Sequence, residues 1–269
     1  MDRLSLNQIS TKRWSVAEAV AGCAEAGVGW IGLWRDKVAE TGLDRTARLV
    51  ADHGLRVSSL CRGGFFTGFL PDGSLVDGIA ETRTAIDEAV ALGTDVLVLV
   101  VGGVVDNDLA GSRQRVADAV GELAPYARER GVRLGLEPLH PMQCAERSVL
   151  STVDQAWTIA REHPADAVGV IVDEFHVWWD PDIEASIAQA AGRIVGFHVC
   201  DQLVPLTDTL LGRALPGDGP IDHRHLRACV EAAGYTGPIE VEVFNAELWA
   251  RPGADALAAV VNAYRNHVV

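Results

Sequence analysis

What this 269-residue chain lacks narrows its chemistry before any motif is read. No apolar run approaches the ~20 residues of a membrane span, and Met1-Asp-Arg-Leu-Ser5 has neither the charged nor the apolar region of a secretory leader. A cytoplasmic protein with no membrane partner is the expectation. The five cysteines, Cys23, Cys61, Cys144, Cys200 and Cys229, are an odd, scattered set with no Cys-x-x-Cys. That argues against a disulfide framework or a zinc ribbon and for small core thiols in a reducing compartment. Basic side chains are scarce: 23 Lys and Arg against 37 Asp and Glu leave a net charge of −14. A surface of that sign repels phosphate backbones, so nucleic acid is not expected as a partner. No Gly-x-Gly-x-x-Gly follows the first apolar run, which leaves a dinucleotide fold without support. The pair Gly102-Gly103 is only a lone turn signal. No Pro/Gly-rich or charged stretch divides the chain, so residues 1–269 are read as one domain.

What is present is alternation. Short apolar runs suit strands at Leu4–Ile9, Trp30–Trp34, Arg56–Leu60, Val96–Val101, Arg133–Glu137, Val168–Asp173, Ile194–Val199 and Ile239–Phe244. Between them lie helix-like stretches at Ser15–Glu25, Leu43–His53, Val76–Leu92, Ser112–Arg130, Thr152–Glu162, Ile183–Ala191, His223–Ala233 and Pro252–Asn266. Ser15 and Glu18 make a capping box at the first. Gly27, Gly54, Gly93, Gly131 and Gly234 stand where helices should end before the next strand. Repeated βα units of this kind predict an α/β fold, a single (β/α)8 TIM barrel with its site at the C-terminal mouth; a doubly wound sheet is the competitor.

Four strands each carry a metal-ligating side chain near their end: Glu137, Asp173, His198 and Glu242. Two Glu, one Asp and one His form a hard, oxygen-rich set suited to one divalent cation, Mn²⁺ first, with Mg²⁺, Co²⁺ or Zn²⁺ as alternatives. Single acids at strand ends are commonly solvated salt-bridge formers, but four ligating side chains at four equivalent places point to one centre. Strand alternation puts Gly135 with Glu137, Ile171 with Asp173 and Gly196 with His198 on one face, the lumen. Glu240 shares parity with Glu242; Glu242 lies nearer the mouth and is taken as the ligand, leaving Glu240 one layer deeper and in need of a cationic or hydrogen-bonding partner.

At these residues the chain resembles the xylose-isomerase-like barrel superfamily of sugar isomerases and epimerases. The resemblance rests on Glu137, on Asp173-Glu-Phe-His176, on His198-Val-Cys-Asp201, on Arg213-Ala-Leu-Pro-Gly-Asp-Gly-Pro-Ile-Asp222 and on Gly234-Tyr-Thr-Gly-Pro-Ile-Glu-Val-Glu242. In ketose 3-epimerases of this superfamily the residues matching Glu137, Asp173, His198 and Glu242 hold one metal ion, often Mn²⁺. The two Glu act on the two faces of the substrate carbon, and the residues matching His176 and Arg213 contact substrate oxygens. The chain departs from that pattern after Glu137, where Gln143 stands near the place of a further Glu and His140 offers a polar group instead. It departs again at Trp34-Arg-Asp36 and Cys61-Arg62-Gly-Gly-Phe-Phe66.

The resemblance implies a small-molecule sugar or glycoside substrate and leaves homo-oligomer formation open. The expected chemistry is proton abstraction beside a carbonyl through an enediolate that the metal stabilises. Reprotonation then gives an isomerase or epimerase; expulsion of a β-substituent gives a lyase, as in cleavage of 3-keto carbon-glycosides. Glu137 and Glu242 are the expected proton carriers. His176, Arg213, His140, Trp34 and Arg62 are the expected substrate contacts, against the plainer roles of capping, loop and core residues. Arg suits bidentate recognition of oxygen acids; Trp34, like Trp178, Trp179 and Trp249, offers a flat face beyond a strand end. Asp201 fits either orientation of a neighbouring group or a loop turn. An apurinic endonuclease of the same superfamily would need further His ligands after strands 3 and 4, where the chain has Cys61-Arg62 and Gly102-Gly103. A non-catalytic sugar-binding barrel is the rival of another class; it would not need both acids.

Overall fold

A computed structural model describes residues 1–269. Eight parallel strands close on themselves: β1 (Leu4–Asn7), β2 (Trp30–Trp34), β3 (Arg56–Gly64), β4 (Val96–Val100), β5 (Arg133–Leu136), β6 (Val168–Asp173), β7 (Ile194–Val199) and β10 (Ile239–Val241), with β10 returning to pair with β1. The remaining two, β8 (Asp201–Gln202) and β9 (Arg213–Ala214), form a small antiparallel ribbon in the loop after β7. The architecture is the (β/α)8 barrel that the alternation predicts, and the closed strand order removes the doubly wound sheet.

The strands read as continuous apolar runs because helices cover one face and the barrel lumen the other. Every residue of β4, β6 and β7 is buried. Most of the core, 62 buried residues, lies between strands and helices, while Cys61, Val96, Val98, Ile171 and Val195 form a separate apolar cluster. The glycines of the ligand strands serve that cluster. A Cβ on Gly135 would come within 2.7 Å of Ile171 Cδ1, and one on Gly196 within 2.5 Å. The room they leave is filled by Ile171, which forms a floor two residues below Asp173.

The helices lie close to their expected places. Ser15 caps the helix Val16–Ala26 and forms its capping box with Glu18, and Gly27 (φ 70°) ends it in the left-handed conformation. Boundaries move where caps decide them. Asp77 caps Gly78–Leu92, which therefore starts two residues later than expected, and Asp108 caps Leu109–Glu129, which starts three residues earlier than expected. The expected last helix ends at Ala263 and continues as a π-type turn over Tyr264–Val268. Three short helices, Arg35–Thr41, Glu174–Val177 and Ala246–Ala250, were not expected. Each begins within five residues of a strand end, too short for helical periodicity to show, and each bends the chain around the mouth. No helix is long and apolar enough to cross a membrane.

Candidate active site

Strand register sets the site. In the sheet Asp173 stands opposite His198, and His198 opposite Glu240. Glu137 and Glu242 each follow the last residue of their strand, β5 and β10. The structure thereby brings Glu137, Asp173, His198 and Glu242 together, all buried, with one ligand atom of each within 4.8 Å of the others. His198 Nδ1 lies 3.3 Å from Glu137 Oε1 and 3.7 Å from Glu242 Oε2. Neither His198 Nδ1 nor Glu137 Oε1 has a hydrogen-bond partner, although both are buried. Polar atoms orphaned in a protein interior are rare. Two of them, facing one another within a ring of four ligating side chains, are what a divalent cation would satisfy, and the residues present fit such an ion.

Positive charge is drawn to these three carboxylates. Arg213 Nη1 donates to Asp173 Oδ2 at 2.7 Å and to Glu242 Oε2 at 3.1 Å, and its guanidinium lies between the rings of Phe175 and Phe244 at 4.7 and 5.1 Å. The two outer carboxylates diverge accordingly. Burial raises the Glu137 carboxyl to about 7, despite His198. Burial would raise Glu242 too, but Arg213 and then His198 outweigh it and hold the group at about 2. Burial keeps the His176 imidazole well below its ordinary value, hence neutral, even beside Asp173. Its Nε2 meets Arg213 Nη2 at 2.9 Å, and its Nδ1 accepts from the backbone N–H of His140 at 3.1 Å.

Glu240 occupies the layer below. Its carboxylate accepts from Asn7 Nδ2 (2.6 Å), Ser58 Oγ (2.6 Å) and Ser59 Oγ (3.0 Å), and its Oε1 sits 3.9 Å from His198 Nε2. Asn7 spans both layers, donating also to Glu242 Oε1 at 3.1 Å. Gly32 is part of this arrangement: a Cβ there would fall 2.0 Å from Glu240 Oε1. Glu240 thus faces the imidazole nitrogen directed away from the ligand cluster, beyond hydrogen-bond reach, where its charge acts on the ring.

The other expected residues divide. Trp34 and Arg62 line the cavity over the cluster, as do His176, Arg213 and Gln143. Trp34 donates from Nε1 to Asn7 Oδ1 at 2.8 Å and packs edge-on against Phe244. His140 is not brought to the cavity lining. Its ring packs edge-on against Trp179, its Nδ1 accepts from Met142 N, and its place in the site is the backbone N–H that it gives to His176. Trp178, Trp179 and Trp249 direct their indole N–H groups to Gln202, His176 O and Ile9 O. Asp201 takes the loop role: Oδ2 accepts from the backbone of Gly217 and Gly219, and Oδ1 from that of Gln202 and Ile221. A buried triad beneath it, Glu174–His223–Asp201, joins this loop to β6 through contacts of 2.6 and 3.2 Å to the imidazole.

Sequence reasoning passed over Asn7, Ser58, Ser59, Arg147, Glu174 and His223. Glu174 lies within one motif already singled out, and His223 directly follows another. Asn7 shares the parity of Ser5, which stands opposite Glu240, and that signal was usable; Ser58 and Ser59 are adjacent on β3, where a register shift against β2 brings both to the carboxylate, and Arg147 lies in a loop with no period to mark it.

Residues 20–261 match the model of the xylose isomerase-like TIM barrel. The chain belongs to that family. A member with the same overall form is a Sinorhizobium meliloti 1021 protein of known crystal structure, 41% identical, with a TM-score of 0.92 and 98% of both chains covered. Among curated relatives, the 3-dehydroshikimate dehydratase of Pseudomonas putida is 29% identical over 258 residues, 92% of this chain and 39% of that protein. The inosose isomerase of Bacillus subtilis is 32% identical over 146 residues, 52% of this chain and 50% of its own length. The chain thus spans about two fifths to half the length of these relatives.

Proposed function

We propose that this family member is a divalent-metal-dependent isomerase or epimerase of a small polyhydroxylated carbonyl compound, acting by proton transfer at the carbon beside the carbonyl. The observation that carries the reading is the buried group Glu137, Asp173, His198 and Glu242, with its two orphaned polar atoms facing one another. These four would hold the ion, and Mn²⁺ suits their oxygen-rich set. When bound, such an ion supplies Lewis-acid polarisation of the carbonyl and lowers the barrier to losing the neighbouring proton.

The rest falls to the chain. Glu242 and Glu137, the two carboxylates that border the cavity, are the groups to accept the proton and to return one. Arg213 contributes donors toward the oxygen on which negative charge develops, and His176, held by the His140 backbone, sits against its guanidinium. Return of the proton to the same carbon from the opposite face gives epimerisation, and to the adjacent carbon, isomerisation. Trp34 and Phe244 cover the cavity with apolar surface that limits water.

A second reading is favoured by one observation: the alignment with a dehydratase covers 92% of this chain, against 52% for an isomerase. The same anion that is reprotonated in epimerisation can instead expel a β-hydroxyl, which makes the enzyme a lyase. Incubation of Mn²⁺-loaded protein in deuterated water with ketoses, an inosose, a 3-keto-glycoside and 3-dehydroshikimate separates the outcomes. Deuterium in an isomeric product supports the first reading, a conjugated dehydrated product or released aglycone the second, and no exchange into any compound refutes both. Glu242→Gln separates enzyme from passive binder: lost turnover with retained ligand binding is the enzyme result.

A further inference from the structure

Two arginines at the mouth lack the partners that buried guanidiniums ordinarily have. Arg62, near the end of β3, and Arg147, in the loop after β5, line the same cavity as Glu137, Glu242 and His176. Arg147 Nε is buried with no hydrogen-bond partner. Arg62 stands over the ring of Phe65 at 4.3 Å and makes no ion pair: Glu88 and Glu81 pair with its neighbour Arg35, and Asp36 acts on it only at longer range. Burial, followed by the charge of Arg147, lowers Arg62 to about 10; burial and the charge of Arg213 lower Arg147. The acids that ease Arg147 most are Glu137 and Glu242, which belong to the ligand group. Two like charges that are partly buried near one another and make no ion pair are costly, and a ligand that brings the opposite charge lowers the cost. A second cavity, of about 480 Å³, shares Trp34, Cys61 and Arg62 with the first.

We propose that Arg62 and Arg147 clamp an oxyanion substituent of the substrate, a carboxylate or a phosphate, while its carbonyl end lies at Glu137 and Glu242. The substrate class is then a sugar acid, a keto-hydroxy acid or a sugar phosphate, not a neutral sugar. This rests on the catalytic reading of the site for the placement of the carbonyl, whereas the anion preference itself belongs to the two arginines. Planar guanidiniums suit bidentate oxygen acids, and neither arginine is needed to complete the metal group.

The test uses a matched series on one carbon skeleton: D-fructose, D-fructuronate and D-fructose 6-phosphate, which differ at carbon 6 alone. Affinities are measured by calorimetry on the metal-free and the Mn²⁺-loaded protein, for the wild type, Arg62→Gln and Arg147→Gln, with Arg62→Lys and Arg147→Lys in case a glutamine variant does not fold. At least one anionic member is expected to bind the wild type about tenfold or more tighter than fructose, and that advantage should fall to about twofold or less in either glutamine variant. Lysine should restore part of it. Which anionic member binds tighter assigns carboxylate or phosphate. Equal affinity across the series, no binding of either anion at millimolar concentration, or a preference that survives both substitutions would overturn the proposal. A preference present without uptake of Mn²⁺ would uphold the clamp and refute the metal-dependent reading, so the two failures are distinct.

Discussion

Replacing Glu240 separates a charge that positions His198 from a side chain that merely fills the lumen. Glu240→Gln keeps the shape. The new amide oxygen can stay where Oε1 accepts from Asn7 at 2.6 Å, and the amide N–H groups then face Ser58 and Ser59, whose hydroxyls can turn to accept. The hydrogen-bond count survives, and stability should change by no more than about 1 kcal/mol. What is lost is the negative charge 3.9 Å from His198 Nε2, on the ring edge facing away from the ligand cluster. A hydrogen-bonded outer-shell carboxylate is worth roughly 10- to 100-fold in metal binding, and this one, acting by charge alone, should be worth roughly tenfold. Glu240→Ala strips the partners as well, leaves the serines and Asn7 facing a hole, and should cost about 3 kcal/mol or more. The assay pairs urea denaturation of each variant with competitive Mn²⁺ titration against a chelating dye. Wild-type metal affinity in Glu240→Gln would refute the idea that Glu240 acts through His198; a large stability loss in that variant would refute the hydrogen-bond argument.

Further outcomes follow from the same geometry. Gly32→Ala pushes a methyl to within 2.0 Å of Glu240 Oε1, a carboxylate pinned by three neighbours. It should destabilise by about 1–3 kcal/mol in denaturant titration, and an unchanged midpoint would show that Glu240 moves freely. Glu137→Gln and Glu242→Gln should each lower kcat by about 10²–10⁴ on whichever substrate the deuterium screen identifies, with binding of that substrate retained. His223 is held at about 9: burial works against its charge, and Asp201 and Glu174 outweigh it. Because the folded value lies above the unfolded one, this stabilisation is complete below about pH 6.5 and is lost as pH rises through about 9. Thermal melts from pH 6 to 10 should show Tm falling over that window, and His223→Gln should flatten the fall; a fall of equal size in the variant would assign it to other groups.

The parts of the fold and site that could be read from sequence are those governed by period and end position. Alternation of apolar runs fixed which face of β5, β6 and β7 looks inward, and proximity to the strand end separated Glu242 from Glu240, one rung apart on the same strand. The partners of Glu240 were harder. Asn7 and Ser58 come from β1 and β3, and only barrel closure, which pairs β1 with β10, carries Asn7 to Glu240. Short loops hide the rest. Arg147 and the helix Glu174–Val177 have no period to announce them, and His140, conspicuous between two prolines, spends its ring on packing and a turn. The seat of Arg213 between Phe175 and Phe244 depends on three segments remote in sequence. Nothing local in the loop after β7 marks that arginine as buried.

The central claim is that Glu137, Asp173, His198 and Glu242 hold one divalent ion. Its most direct test is metal content per chain by inductively coupled plasma mass spectrometry, after Mn²⁺ loading and gel filtration, for the wild type beside Asp173→Asn and His198→Ala. One ion per wild-type chain is expected, with most of that content lost in both variants. Wild-type protein that retains no ion, or variants that keep as much as the wild type, would contradict it.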